Sequence, residues 1–333
     1  MSKTIALTIG DPNGIGPEIA VKAAAALLGN EDIRVVLIGD EHVIRHYGEL
    51  CAATHQFRHF QSGASSRDAI LLYPVDALPP AHFRPGQIDA AAGRATVAYV
   101  DAAIGLVRER AVDAIVGCPH NETAVNAAGI PFSGYPGLIA RLTGTPEEKV
   151  FMMLVGGGLR ILHATLHERI LDALARLTPE LIEEAGLACA ATLKRLGIAN
   201  PRIGVFGINP HAGENGLFGN DDDRITAPAV ERLRKAGMAA EGPVGADIIL
   251  GRKDIDGFVA IYHDQGHIPV KLLAGRNASA LSVGAGVLFS SVGHGSAFDI
   301  AGQNKADPAA VLRTLRLLGN VPADTTPAAA GAA

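Results

Sequence analysis

Nine short runs rich in β-branched and other apolar residues punctuate the chain, at 4–9, 34–38, 69–75, 114–116, 149–155, 159–164, 202–208, 258–262 and 281–283. Between them lie stretches with helical periodicity, such as 17–28, 93–110, 178–196 and 226–236. Strands that alternate with helices predict a mostly parallel sheet covered by helices on its faces. The stretch 178–196 carries the plainest helix signals. Thr178 can cap it, Pro179 suits the first turn, Glu183 and Glu184 suit the positive end, and Gly197 stops it.

A length of 333 residues exceeds one ordinary domain and favours two domains sharing a cleft. Charged residues make up 19% and hydrophobic ones 48%, enough to build a buried core. A net charge of -5 and the absence of Trp argue against nucleic acid or an anionic membrane as partner. Cys51, Cys118 and Cys189 are odd in number and far apart, so neither a disulfide framework nor a thiolate zinc site is indicated. The N-terminal run turns glycine-rich too early for a signal peptide, and no apolar run is expected to span a bilayer. The expectation is a cytoplasmic protein, without internal repeats, whose Pro/Ala-rich tail at 322–333 is disordered.

His167, His211 and His263 each follow an apolar strand at its expected carboxyl end, where open α/β sheets bind ligands. Three neutral imidazoles with an open fourth position would form a zinc site. Their spacings of 44 and 52 residues match no local zinc motif, so pattern alone favours polar loop histidines. The segment GDPNGIGPE at 10–18 follows the first strand and opens a helix, a turn that directs backbone N–H groups toward an anion. Its glycines do not match the GxGxxG fingerprint, and a tight structural turn reads as well. The segment HGSAFDIAG at 294–302 is more specific. It resembles the adenosine-binding loop of isopropylmalate and isocitrate dehydrogenases, with His294, Gly295, Ser296, Ala297 and Asp299 as the cofactor contacts. A carboxylate at Asp299 would accept the ribose hydroxyls and repel a 2′-phosphate, which favours NAD over NADP.

GDPNGIGPE, NPHAGE (209–214), YHDQG (262–266) and HGSAFDIAG occur together and in order. From about Lys3 to Asp307 the chain resembles the 4-hydroxythreonine-4-phosphate dehydrogenase family. The resemblance implies an α/β fold of the isocitrate/isopropylmalate dehydrogenase type, with two αβα domains flanking a cleft. One domain would comprise 1–130 plus 275–333, and the other 131–274, carrying the metal-binding histidines and dimer contacts. It also implies a divalent metal on His167, His211 and His263, with zinc expected and magnesium or cobalt as alternatives, and a homodimer whose active site is completed across the subunit interface. The family holds its substrate's phosphate with a His-Thr pair, a Lys, an Asn and an Arg. At those positions this chain has Tyr135, Pro136, Lys271, Ala280 and Phe289, so Lys271 alone survives. Charge-assisted donors are worth roughly 1.5–3 kcal/mol each, so their loss points to a planar, less charged substrate. This pattern, with segments 118–124, 132–136, 278–282 and 290–295, resembles a narrower branch, the terephthalate dihydrodiol dehydrogenases.

The implied reaction is NAD-dependent oxidation of the dihydrodiol to protocatechuate, CO2 and NADH. Hydride leaves the carbon β to a carboxylate, and the resulting β-keto acid decarboxylates as the ring becomes aromatic. A metal would act as Lewis acid toward the alcohol. Lys271 is the first choice for acid/base work or for pairing a carboxylate. Asp264 and Asp247 are candidates to orient the metal ligands or relay a proton, though a loop carboxylate or helix cap is nearly as good a reading for Asp247. His267 reads equally as support for the metal site or as a polar loop residue. The rivals are a dehydrogenase for 4-hydroxythreonine 4-phosphate or threonate/erythronate 4-phosphate, a zinc hydrolase, which the HGSAFDIAG loop opposes, and a silent ligand-binding protein, which the histidines oppose.

Overall fold

The computed structural model describes residues 2–53, 57–62 and 68–320; the tail expected to be disordered lies outside them. Twelve strands form one sheet: β1 Lys3–Thr8, β2 Ile33–Gly39, β3 Phe57–His59, β4 Ile70–Pro74, β5 Ala114–Gly117, β6 Phe151–Gly156, β7 Leu159–His163, β8 Arg202–Phe206, β9 Ala239–Val244, β10 Gly257–Ala260, β11 Ser279–Val283 and β12 Phe289–Val292. Their order is β3-β4-β2-β1-β5-β12-β11-β6-β7-β10-β8-β9. Central strands are covered on both faces, which is why they read as continuous apolar runs: Ile5, Leu7, Leu37, Val116 and Val259 are all fully buried.

The chain therefore has the expected mixed α/β class, and most of its strand pairings are parallel. The exceptions sit together in the middle, where β12–β11, β11–β6 and β6–β7 are antiparallel. Three reversals make the block β7-β10-β8-β9 run opposite to the block that ends at β12. β3, β9 and β12 carry no sequence signal for strand. β9 is an edge strand, Ala-Ala-Glu-Gly-Pro-Val, with little to bury on its open side. β12 contains Ser290 and Ser291, and Ser290 satisfies its hydroxyl by donating to the Ala280 carbonyl at 3.1 Å.

Helix boundaries follow their caps. Thr178 accepts from Leu181 N at 3.2 Å and starts the helix Pro179–Arg195. Asp89 accepts from Ala91 N at 2.6 Å, which starts the helix Ala90–Arg108 three residues earlier than its apolar periodicity predicts. That helix is long and apolar enough to cross a bilayer by length and composition, contrary to the expectation from the sequence, but about half of it is buried within the protein.

A buried carboxylate ties the two chain ends together. Glu18, in the first turn of the helix Gly16–Ala26, is fully buried. It accepts from Ala306 N at 2.7 Å, Asn304 N at 3.1 Å and Lys22 Nζ at 2.8 Å. These bonds fix the segment just after the HGSAFDIAG loop. Replacing Glu18 with Ala would leave the Asn304 and Ala306 N–H groups without their acceptor, and should cost about 3 kcal/mol of folding free energy. Glu18→Gln, which keeps an acceptor, should cost distinctly less. Urea unfolding of the two variants measures the difference, and equal losses would show that these bonds do not anchor the segment.

Candidate active site

β10 lies between β7 and β8, all three are parallel, and each hands its chain to a loop on the same edge of the sheet. His167 follows β7, His263 follows β10 and His211 follows β8. His263 is the first residue of the helix His263–Ala274, and His267 stands one turn further along it. Their rings stack at 3.7 Å with planes 12° apart, and the His167 ring is 5.5 Å from that of His263. One nitrogen from each of His167, His263 and His267 lies within 4.8 Å of the other two, close enough to share an ion. His167 and His263 also line an open pocket of about 570 Å³ with Thr165, Tyr262 and Asp264.

Hydrogen bonds orient this cluster from behind. His263 Nδ1 donates to Asp264 Oδ1 at 2.6 Å, which leaves Nε2 for a ligand. His267 Nδ1 lies 3.1 Å from His163 Nε2 and 3.3 Å from the carbonyl of His263. His163 is buried at the end of β7. Burial pushes its pKa down to about 3, and burial with the adjacent His263 takes that of His267 down to about 4. Burial lowers the pKa of His167 as well. Neutral imidazoles are the form that binds metals.

The cluster differs from the sequence-derived triad in one member. His211 does not join the three-nitrogen group within this chain; His267 does. The His211 side chain is 65% exposed, and its Nδ1 bonds Glu214 Oε2 at 3.0 Å. His211, Ala212, Glu214 and Asn215 all have φ near +50°, a left-handed run held from below by buried Asp222, which accepts from Ile208 N and Asn209 N. Lys271 lies one turn beyond His267 on the same helix and is exposed. Asp247 is exposed in the first turn of the short helix Ala246–Ile249.

A second group of loops gathers at the carboxyl ends of β1, β5 and β12, which are mutually parallel. Ser296 accepts at its carbonyl from Ile15 N at 2.9 Å and donates from Oγ to the His120 carbonyl at 2.7 Å. A Cβ on Gly14 would come within 2.8 Å of Ser296 Cβ, so the two motifs can approach only because residue 14 is Gly. His294, Gly295, Ala297 and Asp299 flank Ser296, and Gly295, Ala297 and Asp299 are exposed. Beside them, Tyr135 packs against Phe289 with ring centroids 4.6 Å apart and planes tilted 47°, and it donates to the Cys118 carbonyl at 3.2 Å. Both rings are buried, whereas Pro136 and Ala280 are partly accessible. The His120 ring packs edge-on against Tyr135 and Phe132, and burial pushes its pKa down to about 4.

Sequence reasoning passed over His163, His120 and Asp11. His163 lies in an apolar strand, and its one signal is a His interrupting such a run. Asp11 sits in a motif dominated by its glycines. Its Oδ1 accepts from Asn13 N at 2.9 Å, while buried Oδ2 has no hydrogen-bond partner among the described residues. Desolvation raises its pKa to about 7.

An open α/β sheet with imidazoles at one set of strand ends and a glycine-rich loop pair at another has the layout of a small-molecule enzyme. Residues 31–318 match the family described as pyridoxal phosphate biosynthetic protein PdxA, and the chain belongs to that family of dehydrogenases. It is 48% identical over 320 residues to the 1,2-dihydroxy-3,5-cyclohexadiene-1,4-dicarboxylate dehydrogenase of Comamonas sp, covering 96% of this chain and 98% of the relative. It is 42% identical to the D-threonate 4-phosphate dehydrogenase of Cupriavidus necator, covering 94% and 95%. Among solved structures it is similar to a terephthalate 1,2-cis-dihydrodiol dehydrogenase from Burkholderia xenovorans LB400, at 54% identity and a TM-score of 0.81, covering 97% and 100%.

The raised pKa of Asp11 sets a pH dependence. The folded state holds a proton that the unfolded chain releases near pH 3.8. The stability this contributes is complete below pH 3.8 and is lost as pH rises through about 7. Asp11→Asn cannot titrate, so parent stability minus variant stability should fall by roughly 1.4 kcal/mol per pH unit across that window. Urea unfolding at several pH values reads the slope. A difference that does not change with pH would place the carboxylate in contact with water.

Proposed function

We propose that this dehydrogenase oxidises and decarboxylates terephthalate 1,2-cis-dihydrodiol to protocatechuate, with NAD as hydride acceptor and a divalent metal, zinc by preference, at the histidine cluster. The observation that carries the substrate reading is the buried Tyr135–Phe289 ring pair, in positions where the family resemblance expects phosphate donors. A phosphate dianion would meet two rings there, with Ala280 and Pro136 beside them, and Lys271 as the retained cation. The likeness to a dihydrodiol dehydrogenase points the same way.

The donor set fits the metal. His167 and His263 are its proposed ligands, with His211 supplied by the partner subunit and His267 beside them. Zinc takes imidazole nitrogens and can expand to five ligands during catalysis. A divalent ion there supplies Lewis acidity toward a hydroxyl. The chain's own residues do the rest. Asp264 holds the His263 ring, Lys271 is proposed to pair a substrate carboxylate or move a proton, and Asp247 is proposed to relay one. Hydride passes from the carbon bearing the second hydroxyl to NAD, and the alcohol proton is released. The C–C bond to the neighbouring carboxylate then breaks, CO2 leaves, and its electron pair completes the aromatic ring. His294 to Ala297 would hold the adenosine, and Asp299 would accept from the ribose hydroxyls.

A homodimer with a shared site follows from the same reading, as does a division of each chain into a domain of 1–130 plus 275–333 and a domain of 131–274. The dimer is supported by apolar side chains that stand open around the histidines. Ile268, Leu272 and Leu273 lie on the His263 helix, and Leu217 and Phe218 beside the His211 loop. A second reading, a 4-phosphate substrate such as D-threonate 4-phosphate, draws on the retained Lys271 and on the Cupriavidus relative.

NADH formation with the dihydrodiol and with D-threonate 4-phosphate separates the two. The proposal expects kcat/KM to favour the dihydrodiol by at least about a hundredfold, chelation to abolish turnover, and zinc to restore it. A preference for the 4-phosphate would overturn it. For the cofactor, Asp299→Lys should move the NAD:NADP preference toward NADP by ~1–3 kcal/mol, the scale of one charge-assisted contact. An unchanged ratio would remove Asp299 from the ribose.

A further inference from the structure

His163 lies outside every assignment made above, yet its placement is the most constrained in the cluster. It ends β7, is 1% exposed, and stands directly opposite Met152 in the antiparallel β6–β7 pair. Its Nδ1 is 3.1 Å from the Met152 carbonyl, and its Nε2 is 3.1 Å from His267 Nδ1. Gly266 makes room for the ring, because a Cβ there would sit 2.3 Å from His163 Nε2. The glycine of YHDQG is thus required by an imidazole about a hundred residues away in sequence.

Hydrogen-bond chemistry fixes every proton along this path. A carbonyl oxygen only accepts, so His163 Nδ1 must carry hydrogen toward Met152 O. His267 Nδ1 faces a second carbonyl, that of His263, at 3.3 Å, so it too must carry hydrogen. Two N–H groups cannot face each other, so His163 Nε2 is the bare nitrogen between them and accepts from His267 Nδ1. His163 is therefore neutral in this arrangement, and a neutral His267 with its hydrogen on Nδ1 has a bare Nε2. The His267 ring so fixed lies face to face with that of His263, 3.7 Å away and 12° from parallel.

We infer that His163 is a positioning residue: the relay Met152 C=O, His163, His267 fixes the His267 ring, and the His263 ring stacked on it is thereby held in place to ligate the metal with His167. The inference rests on the metal reading of the preceding section. It also gives His267 a defined task, set through a neighbour rather than through a carboxylate as for His263. Outer partners of this kind change metal affinity by roughly 10- to 100-fold when removed.

The test uses the intact protein and two variants. Ring 15N shifts of His163 and His267 in the metal-free parent report which nitrogens carry hydrogen, and chelator competition reports zinc affinity. The relay requires hydrogen on Nδ1 of both rings. His163→Phe keeps the ring's shape but not its nitrogens, and should weaken zinc roughly 10- to 100-fold with the unfolding midpoint little changed. His163→Gln can return an acceptor to His267 Nδ1 and should recover most of the affinity. Hydrogen on Nε2 of His267 in the parent, or equal zinc affinity in the Phe variant and the parent, would overturn the inference. Loss shared equally by Phe and Gln would overturn it too, since that marks simple packing. If His163→Phe does not fold, the parent's ring shifts decide the matter. A parent that binds no zinc would defeat the metal reading, while those shifts would still decide the relay.

Discussion

Parallel pairing of β7 with β10 and of β10 with β8 sets three strand ends side by side, about 4.8 Å from one to the next. Whatever follows those strands must emerge on one edge, and in this chain a histidine follows each. The sequence separations of 44 and 52 residues therefore carry no meaning of their own. They are the lengths of the crossovers that return the chain to the same edge. Slipping any of the three strands by a residue would turn its following loop and break the cluster.

At this edge and at the carboxyl ends of β1, β5 and β12, polar side chains hold loops and rings in place. Asp222 holds the left-handed run that carries His211, Glu18 holds the segment behind the HGSAFDIAG loop, and Asp264 and His163 hold the rings of His263 and His267. Asp222 and Glu18 are buried and hold loops, whereas buried His163 and exposed Asp264 hold rings of the helix His263–Ala274. A single buried acceptor that satisfies two or more backbone donors makes such a loop rigid, and the loss of any one leaves donors without water or partner. Asp11 is different, since one of its oxygens is buried without a partner among the described residues.

How much of this was legible in the sequence depends on the distance over which each signal acts. Apolar runs and local caps gave the central strands and the helix Pro179–Arg195, because burial on both faces and a Thr cap are local properties. β9 and β12 were missed because their residues are set by neighbours, an edge in one case and a serine bonded across to β11 in the other. The histidines at 167, 211 and 263 could be named from motifs, and the family resemblance grouped them at one metal. The place of His267 stayed open, since it reaches the cluster through helical spacing and a bond to His163 from another part of the sheet. The tilt toward an aromatic substrate was legible only because Tyr135 and Phe289 stand where charge was expected. That the two rings pack against each other and are buried is a fact of the fold.

The central claim is that metal, diol and nicotinamide meet at the His167–His263 cluster. A crystal structure of the protein with zinc, NAD and the dihydrodiol, with zinc located by its anomalous scattering, addresses it most directly. The account predicts an ion bound through Nε2 of His167 and His263, His211 of the partner subunit beside it, and diol oxygens turned toward the ion. The carbon that loses hydride should face the nicotinamide. An ion bound elsewhere, or a diol lodged away from both rings and histidines, would contradict it.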